Sequence, residues 1–207
     1  MYRKINKIIF SGLALFTTIA FGQSSDLSVR IHNLVESNDF GMHEGKDWES
    51  AKRSLSGHDK IELANAFVAE LDRDRGNLDR NRHRDRTVSD LYTQINLPVS
   101  IILAELAKAQ SPYKKYQLMK CLPKANSPDV VTALLAQVKD QRVAVNIKQK
   151  YIEMAGPTFG LRVCDMACDT LAYEFGGKPP DIGWATPFDV RDKSISDTLK
   201  MLKLNAP

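Results

Sequence analysis

The sequence predicts an all-α protein built as a short, solenoid-like stack of antiparallel helix pairs. Apolar residues recur three and four positions apart along most of the chain, which is the helical period, and few stretches alternate. Two helix starts, Ser111-Pro112 and Ser127-Pro128, each pair a capping hydroxyl with a proline at the first helical position. A chain of 207 residues, 43% of them hydrophobic, is long enough to bury a core.

Five helices are predicted in the first half of the chain. They cover residues 26–37, 47–55, 58–72, 87–95 and 96–109. The third has the clearest apolar stripe, formed by Ile61, Ala64, Phe67, Val68 and Leu71. In the fifth, Asn96 is the expected N-cap and Pro98 lies in the first turn, so Pro98 marks a junction between two helices.

The second half continues with the two helices that follow the Ser-Pro starts. The helix of residues 127–140 has an apolar face of Val130, Val131, Leu134, Leu135 and Val138. The next is expected over residues 159–175 and ends at Gly176-Gly177, because glycine suits the left-handed C-terminal position. Its apolar face consists of Cys164, Ala167, Cys168, Leu171, Ala172 and Phe175, with Arg162, Asp165, Asp169 and Glu174 elsewhere on the helix. Residues 178–187, around Trp184, are expected to be extended, and a last helix to cover residues 194–203.

One stretch departs from the helical period. Val143, Val145 and Ile147 alternate with less apolar residues before Tyr151 and Ile152. This pattern indicates either a small β-hairpin inserted near residues 142–154 or a frayed helix.

The first 22 residues have the pattern of a secretory signal peptide. Arg3, Lys4 and Lys7 precede an apolar stretch without ionisable residues, and small side chains place the cut between Gly22 and Gln23. Polar residues interrupt the apolar run, which disfavours the alternative of an uncleaved anchor. We therefore expect a periplasmic or secreted protein, with no membrane span after cleavage and a single helical domain over residues 23–207.

Part of that domain resembles HEAT-type, armadillo-like helical repeats. The resemblance covers residues 111–177 and rests on three runs, which are Ser127-Pro128-Asp129-Val130-Val131, Asp140-Gln141-Arg142-Val143 and Leu161-Arg162-Val163-Cys164-Asp165-Met166-Ala167. The sequence departs from the family by placing about sixteen residues between the Asp-x-Arg-Val turn and the next helix. The resemblance implies a continuous core and an extended surface for partners, flanked by N-terminal helices over 23–110 and a C-terminal segment over 178–207. It implies no chemistry.

A search for catalytic and cofactor motifs finds none. The sequence contains no His-Glu-x-x-His, no Gly-x-Ser-x-Gly, no phosphate-binding glycine loop and no Cys-x-x-Cys. The four histidines, at positions 32, 43, 58 and 83, have no ligand spacing. We therefore predict no metal, no cofactor and no catalytic residue, while a periplasmic hydrolase with dispersed carboxylates such as Glu44, Asp165 and Asp169 remains the alternative.

Residues 72–86 form an Arg–Asp segment with six arginines and four aspartates. Its net charge of +2 and its lack of aromatic residues argue against a nucleic-acid site. It begins like a calcium loop, but Gly76 and His83 occupy positions where oxygen ligands belong. We interpret it as a solvated connector.

Three cysteines in an exported chain allow one disulfide. Cys164 and Cys168 lie one helical turn apart, where Cβ atoms are roughly 5–6 Å apart instead of the ~3.8 Å that a disulfide prefers. The expected bridge therefore links Cys121 to Cys168. The alternative is that all three cysteines are reduced core residues.

The sequence favours an exported binding module for a protein or peptide partner of the cell envelope, without catalytic activity. By analogy with small exported helical proteins, an immunity or inhibitor protein is a narrower version of this hypothesis. The candidate binding face is the outward side of the helix that begins at Ser127. It consists of Asp129, Thr132, Ala136, Lys139 and Asp140. A solvated face without a partner is the alternative.

Overall fold

A computed structural model describes residues 26–36, 46–73, 87–122, 127–145, 159–175, 179–183 and 185–204. The signal peptide and residues 74–86 of the Arg–Asp segment lie outside the described residues, as do His43, Glu44, His83 and Trp184. The described part is mostly helical and has one small antiparallel sheet, which confirms the predicted fold class. No helix in that part is long and apolar enough to span a bilayer.

The chain divides into two compact units, unit 1 within residues 1–97 and unit 2 within residues 98–207. The boundary falls at Pro98, where the sequence indicated a junction between helices. Because proline lacks a backbone N–H, it cannot continue the preceding helix.

Unit 1 contains α1 (residues 26–36), α2 (Lys46–Leu55), α3 (Lys60–Leu71) and α4 (residues 87–94). Asp59 starts α3, because its side chain accepts hydrogen bonds from the N–H groups of Ile61 and Glu62 at 2.9 and 3.0 Å. The rings of Phe67 and Tyr92 meet edge to face in the core, with centroids 6.3 Å apart. Ile61, expected on the buried stripe, is instead 55% exposed.

The junction between the units differs from the expectation. Asn96 has a left-handed backbone with φ of 54° and does not cap the next helix. Helix α5 begins after Pro98, whose ring supplies no capping side chain. Lys60 Nζ donates to the Asn96 carbonyl at 3.2 Å, so this residue closes unit 1.

Unit 2 contains five helices and two strands in its described residues. They are α5 (Val99–Lys108), α6 (Pro112–Lys120), α7 (Pro128–Gln137), β1 (Val143–Val145), β2 (Leu161–Arg162), α8 (Val163–Glu174) and α9 (Phe188–Met201). Helix α8 contacts α6, α7 and α9 and is the central element. As predicted, its buried face includes Cys164, Ala167, Cys168, Leu171 and Ala172.

The two Ser-Pro starts both begin helices, but only one serine caps with its side chain. Ser111 Oγ accepts from Lys114 N at 3.4 Å, whereas Ser127 makes no side-chain capping bond. Both prolines lie in the first turn, where a missing N–H leaves no intrahelical bond unmade.

The small sheet pairs β1 with β2, with Val143 opposite Arg162 and Val145 opposite Leu161. The alternation near residue 143 therefore predicted the first strand correctly. Its partner is Leu161–Arg162, which the sequence pattern assigned to a helix, and the expected return strand around Tyr151 lies outside the described residues.

The last helix begins at Phe188, six residues before the expected start at Ser194. Asp165 contacts Arg191, and Cys168 Sγ donates to the carbonyl of Ile195, so α8 and α9 run in the same direction. The extra first turn contains Arg191, which is fully buried.

Candidate functional site

The most buried charged groups of unit 2 are Arg162, Asp165 and Arg191, with exposed fractions of 3%, 0% and 0%. We call them, with the half-exposed Asp192, the Asp165 cluster. Asp165 lies in the first turn of α8, and Arg191 in the first turn of α9. The parallel course of these helices brings their N-terminal ends, and hence these side chains, together.

Asp165 accepts hydrogen bonds from both arginines. Its Oδ2 lies 2.8 Å from Arg191 Nη1 and 2.9 Å from the backbone N of Arg162. Its Oδ1 lies 2.8 Å from Arg162 Nη2. The carboxylate thus caps α8 and forms ion pairs with two buried guanidinium groups, which helps to offset their lost hydration.

Arg191 uses all five of its N–H donors. Nε donates to Thr186 O at 2.8 Å, and Nη1 donates to Gly160 O at 2.7 Å as well as to Asp165. Nη2 donates to Phe159 O and Gly183 O, both at 2.9 Å. Four carbonyls, two from the residues just before β2 and two from the residues shortly before α9, are therefore held by one side chain.

Arg162 connects the interior of this cluster to its surface. Its Nη2 lies 2.8 Å from Asp192 Oδ1, its Nη1 donates to Gln141 Oε1, and its guanidinium carbon stands 4.6 Å from the centre of the Phe188 ring. The Arg191 guanidinium lies 5.3 Å from the same ring. The aromatic face thus adds cation–π stabilisation to both charges.

A second polar cluster surrounds Asp140 in the turn after α7. Asp140 Oδ2 lies 2.8 Å from Lys115 Nζ and 2.6 Å from Arg142 Nη2, and Arg142 Nη1 donates to Gln110 O at 2.8 Å. The hydrogen bonds from Arg142, followed by the bond from Lys115, hold the pKa of Asp140 well below its usual value against the opposing effect of burial. This Asp140 cluster joins the turn to α6 and to the α5–α6 connection.

The turn of residues 140–142 also caps α8. The N–H groups of Val163 and Cys164 donate to the carbonyls of Arg142 and Asp140 at 3.1 and 3.0 Å. Gln141 accepts from Arg162, so the same turn touches both polar clusters. These bonds satisfy N–H groups that the start of a helix otherwise leaves unpaired.

The predicted binding face is largely at the surface. Asp129, Thr132, Ala136 and Lys139 are exposed. Asp140, also assigned to that face, is held by Lys115 and Arg142 and has a side chain only 11% exposed. Four of the five residues of the predicted face are therefore exposed.

The predicted Cys121–Cys168 disulfide is absent: all three cysteines lie among the described residues and are buried thiols. Cys168 Sγ points to the Ile195 carbonyl at 3.9 Å, and Cys164 Sγ lies 3.7 Å from Gln141 Oε1. Cys121 is the C-cap of α6. The structure corresponds to the alternative of reduced core cysteines.

The carboxylates considered for acid–base chemistry have separate environments. Asp165 is engaged with two arginines, and Glu44 lies outside the described residues. Burial raises the pKa of Asp169, which is half-buried on α8. Of the two described carboxylates, Asp165 is therefore engaged in ion pairs with Arg162 and Arg191, and Asp169 alone has a raised pKa.

Unit 1 contains a buried carboxylate that the sequence did not reveal. Glu70 on α3 is 2% exposed, and its Oε1 lies 3.2 Å from His32 Nδ1 on α1. Its Oε2 lies 3.0 Å from Arg73 Nε. His32 thus anchors α1 to α3, and His58 precedes α3 at its start.

A shallow open groove of about 550 Å³ also lies in unit 1. It is lined by Asp26, Val29, Arg30, Asn33, Leu34 and Ser54. Asp26 and Arg30 pair with each other across one helical turn at 3.7 Å.

The sequence analysis placed Arg162 and Asp165 away from the core and did not single out Arg191. One signal was present, because Arg191 precedes Ile195, Leu199 and Leu202 at helical spacing and so occupies the buried stripe. A charged residue on such a stripe predicts a buried ionic partner.

No protein-family model, curated protein or solved structure matches this chain. Within the described residues, no group of three or more His, Cys, Asp or Glu side chains could hold a metal ion. The function is therefore argued from the contacts above.

Proposed function

We propose that the protein is an exported binding module that holds a protein or peptide partner of the cell envelope and has no catalytic activity. One observation carries this proposal. The buried charges of unit 2 are engaged with one another, while α7 presents a row of exposed side chains. Because these charged groups form ion pairs with one another, they stabilise the packing of unit 2. We therefore expect the described part of unit 2 to act through contacts at its surface.

We infer that α6 and α7 form one HEAT-type pair and that α8 begins the next. The support is that α8 contacts both helices and that Asp140 and Arg142 pair in the turn after α7, where the resemblance places an Asp-x-Arg-Val motif. Stacked pairs of this kind expose a continuous face to partners. An immunity or inhibitor protein is the form of this function that we favour by analogy.

The partner face is formed by Asp129, Thr132 and Ala136 on α7 and by Lys139 in the turn that follows α7. Thr132 Oγ1 donates to the Pro128 carbonyl at 2.8 Å, so this side chain lies close to the helix. Ala136 is the smallest side chain of the row. Because most of these side chains are short, the backbone of a partner can approach closely. Because the face contains both an acidic and a basic residue, it suits a polar protein surface better than a polyanion.

The alternative of a hydrolase has one supporting observation, the raised pKa of Asp169. A general acid of this kind works with a second carboxylate or a bound nucleophile. Its neighbour Asp165 is enclosed by Arg162 and Arg191, so the binding role is the better supported proposal.

We also propose that residues 1–22 are removed during export, so that the mature chain begins at Gln23 and is recovered soluble from the cell envelope. The support is the charged start followed by the uncharged apolar stretch. Intact mass and cell fractionation test this directly. A membrane-retained chain of full length would overturn it.

The binding face is tested with the double variant Ala136→Arg/Asp129→Lys, which raises the net charge by three at two exposed positions. A photo-reactive crosslinker at position 132 identifies the partner in cells, and calorimetry with the purified partner then measures affinity. We expect the double variant to weaken binding at least tenfold while its melting temperature stays within about 2 °C of the parent, as for surface changes.

The matched control is Ser196→Arg/Asp197→Lys on α9, which adds the same charge at exposed positions. It should bind like the parent. Equal affinity of both double variants and the parent would show that the α7 face is not the site.

A further inference from the structure

Cys164 and Cys168 lie one helical turn apart on α8, and neither is accessible to solvent. Their sulfurs face different neighbours. Cys164 Sγ lies near Gln141 Oε1, in the turn after α7, and Cys168 Sγ lies near the Ile195 carbonyl on α9. Both thiols therefore lie in the centre of unit 2, where α8 contacts three other helices.

We propose that this cysteine pair makes folding sensitive to oxidation. The native fold keeps both thiols reduced. A disulfide formed between them before folding prevents α8, and with it unit 2, from forming. This inference is independent of the proposed binding function. It concerns a different pair from the bridge expected from the sequence, which links Cys121 to Cys168.

The incompatibility follows from helix geometry. Side chains four residues apart on a helix have Cβ atoms roughly 5–6 Å apart, whereas a disulfide draws the two Cβ atoms to about 3.8 Å. Bridging would also turn both sulfurs away from Gln141 and Ile195 and into one turn of backbone. The first turns of α8 therefore cannot keep their helical geometry with the bridge in place.

The unfolded chain favours this particular bridge. Cys164 and Cys168 are four residues apart, whereas Cys121 is 43 residues from Cys164. Loop-closure entropy favours the shorter pairing, because fewer chain conformations are lost when its ends are joined. A cysteine pair so close in sequence is the first to be oxidised when the chain is unfolded.

The native fold protects the thiols in two ways. Both are shielded from solvent, and burial raises the pKa of Cys164 and of Cys168 to about 12, with neighbouring aspartates adding to the effect. Because the thiolate is the reacting species, the raised pKa of both thiols lowers their reactivity in the native chain. Reaction in the native state then requires opening of unit 2.

The oxidation uses a small disulfide, oxidised glutathione. One cysteine thiolate attacks a glutathione sulfur and releases one glutathione thiolate, which leaves a mixed disulfide on the protein. The second cysteine thiolate attacks the protein sulfur and releases the other glutathione. Two protein thiols thus become one disulfide while one oxidised glutathione becomes two reduced molecules.

The test uses the Cys121→Ala chain, in which this pair holds the only thiols. The chain is unfolded in urea and treated with oxidised glutathione. The disulfide form is then purified, and peptide mapping confirms the bridge. This form and the reduced form are diluted from urea in parallel. We expect the reduced form to recover its helical circular dichroism signal and the oxidised form to lose the part from unit 2 until dithiothreitol is added. Recovery of native signal with the bridge intact would overturn the proposal.

If Cys121→Ala does not refold even when reduced, the parent chain purified with a mapped Cys164–Cys168 bridge gives the same comparison. A second measurement addresses protection. Native and urea-unfolded parent chains are treated with N-ethylmaleimide, and we expect modification of Cys164 and Cys168 to be at least a thousandfold slower in the native chain. Equal rates would overturn the protective role of the fold.

Discussion

Arg191 donates from Nη1 to Oδ2 of Asp165 at 2.8 Å, although the two residues lie 26 positions apart and neither side chain is accessible to solvent. The contact joins the first turns of two parallel helices, α8 and α9. Through its other donors, Arg191 also binds carbonyls of Phe159, which precedes β2, and of Thr186, which precedes α9. The stability of unit 2 should therefore depend strongly on these two residues.

Asp165→Asn should destabilise unit 2 by roughly 3–5 kcal/mol, because it leaves the buried Arg191 guanidinium without a counter-charge and removes one of the two carboxylates that pair with Arg162. The free energy of unfolding is measured by urea denaturation followed by circular dichroism. The matched control is Asp192→Asn, which removes a half-exposed carboxylate from Arg162 and should cost about 0–1 kcal/mol. Equal losses in both variants would contradict this account.

Arg191→Lys should lose nearly as much stability as Arg191→Met. Lysine keeps the charge, but its three donors on one nitrogen cannot reach the carbonyls of Phe159, Gly160, Gly183 and Thr186 together. Hydrogen exchange should rise in peptides covering residues 179–183 and 185–187. The exposed neighbour Lys193→Met is the control, and a stable Arg191→Lys chain would show that charge alone matters.

Asp140→Asn should change how stability depends on pH. The folded-state pKa of Asp140 is depressed, so the ionised group stabilises the fold above its unfolded pKa of about 3.9. This contribution declines as the pH falls below that value and is gone below the folded-state pKa. Since Arg142 is exposed, the difference between parent and variant should be roughly 0.5–1 kcal/mol at pH 7.

Urea denaturation between pH 3 and pH 7 measures this difference, which should be constant above about pH 5 and become smaller as the pH falls toward 3. Asp197→Asn is the control, because its carboxylate is exposed and lies 3.9 Å from Lys200. A constant difference across the range would mean that Asp140 acts by shape and not by charge.

Glu70→Gln should loosen unit 1. The amide keeps the volume but removes the charge shared with His32 and Arg73, at a cost of roughly 1–3 kcal/mol for a buried polar group. Hydrogen exchange should rise in α1 and α3. Glu49→Gln, an exposed change on α2, should leave exchange as in the parent.

The helices could be predicted from the sequence because each depends on local signals. The apolar period of α3, the Ser-Pro start of α6 and the alternation at Val143 act within a few residues, and the structure has a helix or strand at each place. The predicted element boundaries are less accurate where long-range contacts determine the local structure. Helix α9 begins six residues early, in the turn that contains Arg191, and Leu161–Arg162 pairs with β1 instead of entering a helix.

The sequence by itself determined the helical class, since periodicity and turn residues restrict the backbone locally, and near residue 143 it left a strand and a frayed helix as alternatives until the structure showed the strand. Only the tertiary structure decided that Asp165 lies between two arginines and that the cysteines point to different neighbours. A helical wheel assigns charged residues to solvent, because burying a lone charge is costly. Arg162, Asp165 and Arg191 are buried because each offsets the lost hydration of another, and that compensation exists only once distant segments have come together.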